Sequence, residues 1–500
     1  MNRTRAAFYS FLWVGGGTVL ANLFGYLLRI LLARNLTVAE YGLVYAVMAL
    51  FGLVSILVHW GLGEALTRES ALVTGTVASV RRLKEAFNWS VLILYGSAGT
   101  LAVLSVALSR WLADVWFHNP AAAAPVAVYA LAVVLSTIGY VFPTVAAGRG
   151  RADMYTAFFV SQSVSLLVFA WLLLPYGATG VLLAYGVTMG LMNVLFLPLL
   201  HRMVPGFWRV HARLRAVTLR RLVRYGVPVM ITGLAWMVLA NTDTALLTVL
   251  TSLEMVGQYQ AAQPTANLLL FLNTTLLTVL LPLLTDLWRR RKRQILAASL
   301  HDLYVYVFIA VLPLVIALVV FPDIVLNLLF GATYIPAAPI LRWLVGSALF
   351  VTLNAVTVAA FSSMGVPRRM VRAVFIGAIF NVIANFLLIP RFGGTGAAFA
   401  TFLSAGTISV IGVMSLRDHL SVRLPWGRWI KGVVSGVAFA LVLVLCRALL
   451  PIAPQIVKVV VSVGIAGAVY ALALFATRAV TMDEIRALST RILSARGGSL

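Results

Sequence analysis

Acidic residues are scarce. The 500-residue chain has 14 Asp and Glu against 38 Lys and Arg, and charged residues of both signs make up only 10% of it. Soluble domains are about one quarter charged, so this sequence cannot build an ordinary water-facing surface. Cysteine is almost missing. Cys446 stands alone, which excludes an intramolecular disulfide and a thiolate metal cluster. No His/Cys spacing suits a metal and no G-x-x-x-x-G-K-[ST] phosphate loop occurs, so no cofactor, no metal and no ATP-driven transport on this chain are expected. A paired set of carboxylates, or a nucleophile with its base, is also missing, which argues against an enzyme acting on saccharides.

What is present is apolar. The chain is 62% hydrophobic with mean hydropathy +1.00. Runs of about 20 apolar residues recur along it, as in a polytopic helical membrane protein. Helices follow because every backbone N–H and C=O must find a partner within the chain in hydrocarbon. The alternating short segments of a membrane β-barrel are absent. The opening "MNRTRAAFYSFLWVGGGTVLANLFGYLLRILLA" is too long for a signal-peptide core and reads as the first span.

Hydropathy places fourteen spans near 10–33, 41–64, 86–108, 122–147, 153–174, 178–200, 225–249, 255–284, 297–320, 337–361, 370–390, 395–416, 427–449 and 456–477. With a cytoplasmic N-terminus, and with span ends counted with the adjoining junction, 31 of the 38 Lys and Arg fall in inner junctions and tails, 6 fall in outer junctions, and Arg29 is counted within a span. That split obeys the positive-inside rule and places both termini in the cytoplasm, with the chain in the cytoplasmic membrane. The formal charge of +24 is then topogenic and suited to an anionic leaflet; no nucleic acid partner is implied. Residues 201–224 are expected to form a basic linker helix on the membrane surface. Arg209, Arg213, Arg220 and Arg224 would share one face, with Trp208, Leu214 and Leu222 among the apolar positions.

The chain contains a faint copy of itself. Setting Glu40 on Glu254 also matches Leu36 with Leu250 and Thr37 with Thr251, and Gly42 and Tyr45 find Gly257 and Tyr259 after small shifts. Further on, "LLLPYGATGVLLAYG" (172–186) answers "LLIPRFGGTGAAFAT" (387–401) at nearly the same period. The fold expected is all-α, with two homologous six-helix lobes and two extra helices. The N-lobe covers 1–200 and the C-lobe 225–418, followed by spans 13 and 14 in 427–477 and a tail at 478–500. Six spans per lobe keep both lobes in one orientation, a transporter plan in which substrate sits between halves that rock.

In "LLARNLTVAEYGLVYAVMAL" (31–50), "WGLGEALTRESA" (60–71) and "RYGVPVMITGLAWMVLANTDTALLTVLTSLEMVGQYQAA" (224–262), the chain resembles the multidrug/oligosaccharidyl-lipid/polysaccharide (MOP) exporter superfamily. Within it, the resemblance is to Wzx-type oligosaccharide flippases and related polysaccharide-biosynthesis membrane proteins. It covers spans 1–12. It implies translocation of a polyprenyl-diphosphate-linked, anionic oligosaccharide by alternating access, with glycan polymerases or ligases as further partners. The alternatives are a cation-coupled multidrug exporter, a peptidoglycan-precursor flippase and a membrane glycan polymerase or ligase. The exporters look to an acidic residue in the first lobe, where this chain offers Arg29. The precursor flippases show several cavity arginines. The polymerases carry a long outer loop, and none is found here.

Charges inside spans are costly and usually face a cavity or a partner. Thr18, Asn22, Gly25 and Arg29 form one stripe on span 1; Thr232, Trp236 and Asp243 mark the corresponding stripe on span 7. Arg29 has two readings. It lines a substrate cavity and pairs with Asp243 when the outer side closes, or it snorkels to headgroups about 7 Å away. Gln260, Gln263 and Asn267 share a face of span 8 and could hydrogen-bond sugars or join helices. His59 and Glu64, near the inner end of span 2, are candidates for proton coupling. Asn381 and Asn385 read as packing residues, and Pro143, Pro264 and Pro313 as kinks.

Overall fold

A computed structural model describes residues 3–450, 454–481 and 484. It is all-helical, 88% helix with no strand among the described residues. Ten segments among these residues are long and apolar enough to cross a bilayer. Two of them, Ala152–Met203 with 52 residues and Arg368–Arg417 with 50, are each long enough for two crossings. The protein is a multi-pass membrane protein, and the count of fourteen spans stays an expectation. Most of the tail at 478–500 lies outside the described residues.

The chain divides into two compact units, Met1–Gln260 and Ala261–Leu500. The first begins with α1 (Arg3–Asn35), α2 (Val38–Val54), α3 (Ile56–His59), α4 (Leu62–Ala71), α5 (Val77–Ala107) and α6 (Ser109–Val115). It continues with α7 (Ala123–Gly139), α8 (Val141–Gly148), α9 (Ala152–Leu173), α10 (Gly177–Phe196), α11 (Leu200–Met203), α12 (Ala216–Leu250) and the start of α13 (Leu253–Asn267). Thr37 caps α2: its hydroxyl accepts from the Glu40 amide at 3.2 Å while the Glu40 carboxylate accepts from the Thr37 amide at 3.1 Å. That reciprocal cap explains the spacing in "LTVAEYG". Phe142, Phe158 and Phe196 pack ring on ring at 5.1–6.0 Å between α8, α9 and α10. On α1, Gly17 lies against Thr156 of α9, whose hydroxyl donates to the Trp13 carbonyl at 3.0 Å.

Span 2 is not one helix. It breaks after α2, and Trp60 and Gly61 both take left-handed backbone, φ 48° and 63°. At Gly61 a Cβ would run into the carbonyl of Gly226 on α12, so bare backbone meets bare backbone there. On the other side of the break, α2 touches α12 where Gly52 meets the side chain of Asn241. At the far end Gly42 lies on the α13 backbone at Leu253 and Gly257, and Gly257 lies on Val38. Gly42 and Gly257, paired by the sequence repeat, therefore touch one another.

The expected linker helix over 201–224 is corrected. Residues 204–215 run as turns and extended chain, and only α11 and the start of α12 are helical. Pro205 and Gly206, the latter at φ 78°, stop the helix. Side chains of α5 then take carbonyls that a helix would have used. Asn88 donates to Ala212 at 3.3 Å and Trp89 to Arg215 at 3.1 Å. Phe207 is buried edge-on to Phe87, and Lys84 rests over Phe207 and Trp208 at 4.4 and 4.3 Å. Arg209 and Arg213 thus share no helical face with Arg220 and Arg224.

The second unit continues α13 and adds α14 (Phe271–Arg289), α15 (Arg293–Val320), α16 (Pro322–Phe330), α17 (Ala338–Ser363), α18 (Arg368–Arg417), α19 (Trp426–Leu449) and α20 (Gln455–Ala476). Inside α18 the chain turns at Gly393, φ 55° and ψ −135°; Gly177, its partner in the repeat, has φ 61° and ψ −146°. The last glycine of each turn, Gly180 or Gly396, lies on the carbonyl of Leu173 or Leu388. One backbone device serves both copies, which supports a duplicated chain. Asn381 and Asn385 are buried and bonded, Asn385 to Asn381 at 3.1 Å and Asn381 to Ser404 at 3.5 Å. Arg447 of α19 forms a bidentate pair with Asp323 of α16.

Candidate functional site

The site begins at Arg29. Its Nη1 lies 3.3 Å from Oε1 and 3.5 Å from the carbonyl of Gln260, and its guanidinium sits over the Tyr45 ring at 4.4 Å. Tyr41, fully buried, donates to the same carbonyl at 3.3 Å. The Gln260 amide donates to Thr244 of α12 at 2.6 Å. Next to it on α13, the Tyr259 hydroxyl donates to the Asp243 carboxylate at 2.6 Å. Two neighbouring residues of α13 therefore tie Arg29 on α1 to Thr244 and hold Asp243. All of these groups belong to the first unit.

Asp243 is 2% exposed and Gln260 5% exposed, whereas Arg29 is half-buried. A guanidinium among an amide, a carbonyl and an aromatic face keeps its full charge while losing water. Such a group attracts an anion more strongly than a solvated arginine does. Cation–π contact with Tyr45 fixes its plane. Chemically, the arrangement can hold a phosphate or carboxylate through a planar fork of donors.

The remaining predicted residues fall as follows. Thr18 and Asn22 are exposed on α1, and Thr18 bonds back to the Val14 carbonyl at 2.7 Å. A Cβ at Gly25 would meet open space, so this face of α1 is uncovered. The side chain of Thr232 lies outside the described residues, and Trp236 is exposed. Gln263 is half-buried and Asn267 exposed, both beyond residue 260 on α13. His59 is exposed and its Nδ1 lies 2.8 Å from the Ser55 carbonyl; Glu64 is exposed on α4, across the left-handed break.

Sequence reasoning missed Tyr41, Tyr45, Tyr259 and Thr244 as members of the network. The signal for two of them was the repeat, which pairs Tyr45 with Tyr259. It also missed two buried carboxylates. Glu69 is 3.0 Å from Arg221, and Glu85 accepts from Thr218 at 2.9 Å with Arg215 3.5 Å away. They fasten the start of α12 to α4 and α5. Scarcity was the available signal, since each acidic residue in this chain stands out.

Residues 9–288, more than half of the chain, match the family described as polysaccharide biosynthesis protein. The chain belongs to that family. It is 25% identical over 498 residues to an uncharacterized membrane protein of Methanocaldococcus jannaschii, covering 94% of this chain and 95% of that one. It is 21% identical over 419 residues to a probable low-salt glycan biosynthesis flippase of Haloferax volcanii, covering 82% and 84%. Among solved structures, its fold is similar to Lipid II flippase MurJ in an inward closed conformation, with TM-score 0.74 at 13% identity over 92% and 97% of the two chains. It is also similar to an inward-facing multidrug resistance MATE family transporter, with TM-score 0.63 at 14% identity over 79% and 98%. The fold is shared with these two structures, and this member of the polysaccharide biosynthesis family is a multi-pass membrane protein.

Proposed function

We propose that this protein flips a polyprenyl-diphosphate-linked oligosaccharide from the inner to the outer leaflet of the cytoplasmic membrane by alternating access. The polar head would pass the face of α1 that bears Thr18, Asn22 and Arg29 while the lipid tail stays in the bilayer. Both termini would lie in the cytoplasm, a reading supported by the distribution of Lys and Arg.

The observation that carries the reading is the half-buried guanidinium of Arg29, held by Gln260 and Tyr45 on the first span of a polysaccharide-biosynthesis family member. A diphosphate matches its donor fork. A cationic drug would be repelled by it. Two similar proteins are described as flippases, one of glycan biosynthesis and one of lipid II. In the proposed cycle, Asp243 takes Arg29 as its partner once the substrate has left on the outer side, and Tyr259 and Gln260 of α13 guide the exchange.

The test is leaflet translocation in proteoliposomes, using fluorescent lipid-linked saccharide and, in the same preparation, efflux of a cationic dye. Movement of the saccharide lipid without dye efflux is the expected result. Dye efflux alone would transfer the protein to the multidrug exporters.

A further inference from the structure

A second cationic cluster lies where α4 meets the start of α12. A cavity of about 360 Å³ there is lined by Arg68, Val217, Arg220, Arg221, Arg224 and Tyr225. Arg221 is already neutralised by buried Glu69, its Nε 3.0 Å from the carboxylate. Arg68 stacks on the Tyr225 ring at 4.8 Å, which sets its plane and leaves its charge intact. Arg220 and Arg224 are exposed one helical turn apart on α12, so they project side by side. The acidic residues of α4 are Glu64, exposed, and Glu69; among the described residues, the ion pair Arg221–Glu69 is the only one made by these four arginines.

The cluster is also held in place. Gly61 and Gly226 bring the two backbones into direct contact at its edge, and the Arg221–Glu69 pair joins the same two helices. Three like charges converging on a fixed cavity repel one another unless an anion sits between them. We propose that Arg68, Arg220 and Arg224 form a docking site for the diphosphate of the lipid-linked substrate, filled before the head reaches Arg29. This rests on the flippase reading, because that reading supplies a diphosphate lipid on the inner leaflet. Three guanidinium groups with no ion pair among the described residues suit the charge of a diphosphate better than the single charge of a phosphodiester headgroup, and each offers paired donors to phosphate oxygens.

The experiment uses the full-length protein in detergent, with sugar-free polyprenyl diphosphate as probe and phosphatidylglycerol as competitor. Binding is compared among wild type, Arg220→Gln/Arg224→Gln, Arg68→Gln and Arg29→Gln, each checked for a wild-type unfolding midpoint. The single Arg68→Gln variant carries the comparison if the double variant misfolds. Expected is an affinity about tenfold lower or worse in both cavity variants, the loss of one or two charge-assisted bonds, with little competition from phosphatidylglycerol. Equal competition by phosphatidylglycerol would overturn the proposal and assign the cavity to the bilayer surface. Unchanged affinity in both cavity variants, with loss confined to Arg29→Gln, would remove this site and leave the flippase reading standing. Absence of any diphosphate-lipid binding by the wild type would remove both.

Discussion

At Arg29 the guanidinium is held by an amide oxygen, a carbonyl and an aromatic face. Gln260 holds it through side chain and backbone at once, so the residue is placed by a neighbour that is itself buried and anchored to Thr244. Gln260→Ala should therefore lower translocation several-fold in proteoliposomes while the protein still inserts and elutes as wild type. Tyr259→Phe removes one donor from a carboxylate that is 2% exposed. We expect a loss of about 1.5–3 kcal/mol, the range for a hydrogen bond to a charged group, read as a lower unfolding midpoint in detergent. Arg29, Asp243 and Gln260 were legible in the sequence because polar letters stand out in a greasy run. The tyrosines were not, since tyrosine is common near membrane interfaces and marks no site by itself. How Gln263 and Asn267 would join the site was not legible either. Equal spacing on a helix says which residues share a face, not which of them meets a partner.

Helix against helix, the first unit depends on missing side chains. Gly42 with Gly257, and Gly61 with Gly226, let backbones touch where any Cβ would collide. In membranes, where lipid is as apolar as leucine, close packing of small residues supplies much of the association energy. Gly257→Leu should accordingly yield protein that is expressed but unfolds at lower temperature, whereas Gly233→Leu, with open space around its Cβ, should behave as wild type in the same melt. Arg221→Ala would strand the Glu69 carboxylate. Because Arg221 is about one third exposed, the cost should be about 1–3 kcal/mol, below that of breaking a fully buried pair. Turns at Gly177 and Gly393 could be read directly from "GATG" and "GGTG", since small residues announce reversals. Residues 204–215 misled the reading. Helical periodicity among their arginines ignored Pro205-Gly206 and the waiting donors Asn88 and Trp89, and tertiary partners decided the backbone.

For the molecule as a whole, hydropathy and repeat carried the fold class, because a bilayer leaves helices as the solution for such a chain. Orientation is open to direct measurement. In a Cys446→Ser background, a cysteine at Val217, which is 77% exposed, should react with an impermeant thiol reagent only after cells are permeabilised. A cysteine at exposed Asp114 should react in intact cells. The reverse pattern would invert the proposed direction. The central claim, that an anionic lipid-linked glycan head crosses by way of Arg29, is tested most directly by the initial rate of leaflet translocation of that lipid in proteoliposomes holding equal amounts of wild type or Arg29→Ala. The account predicts a rate lower by about tenfold or more, as for loss of a charge-assisted contact, with unchanged incorporation and unfolding midpoint; an unaltered rate would contradict it.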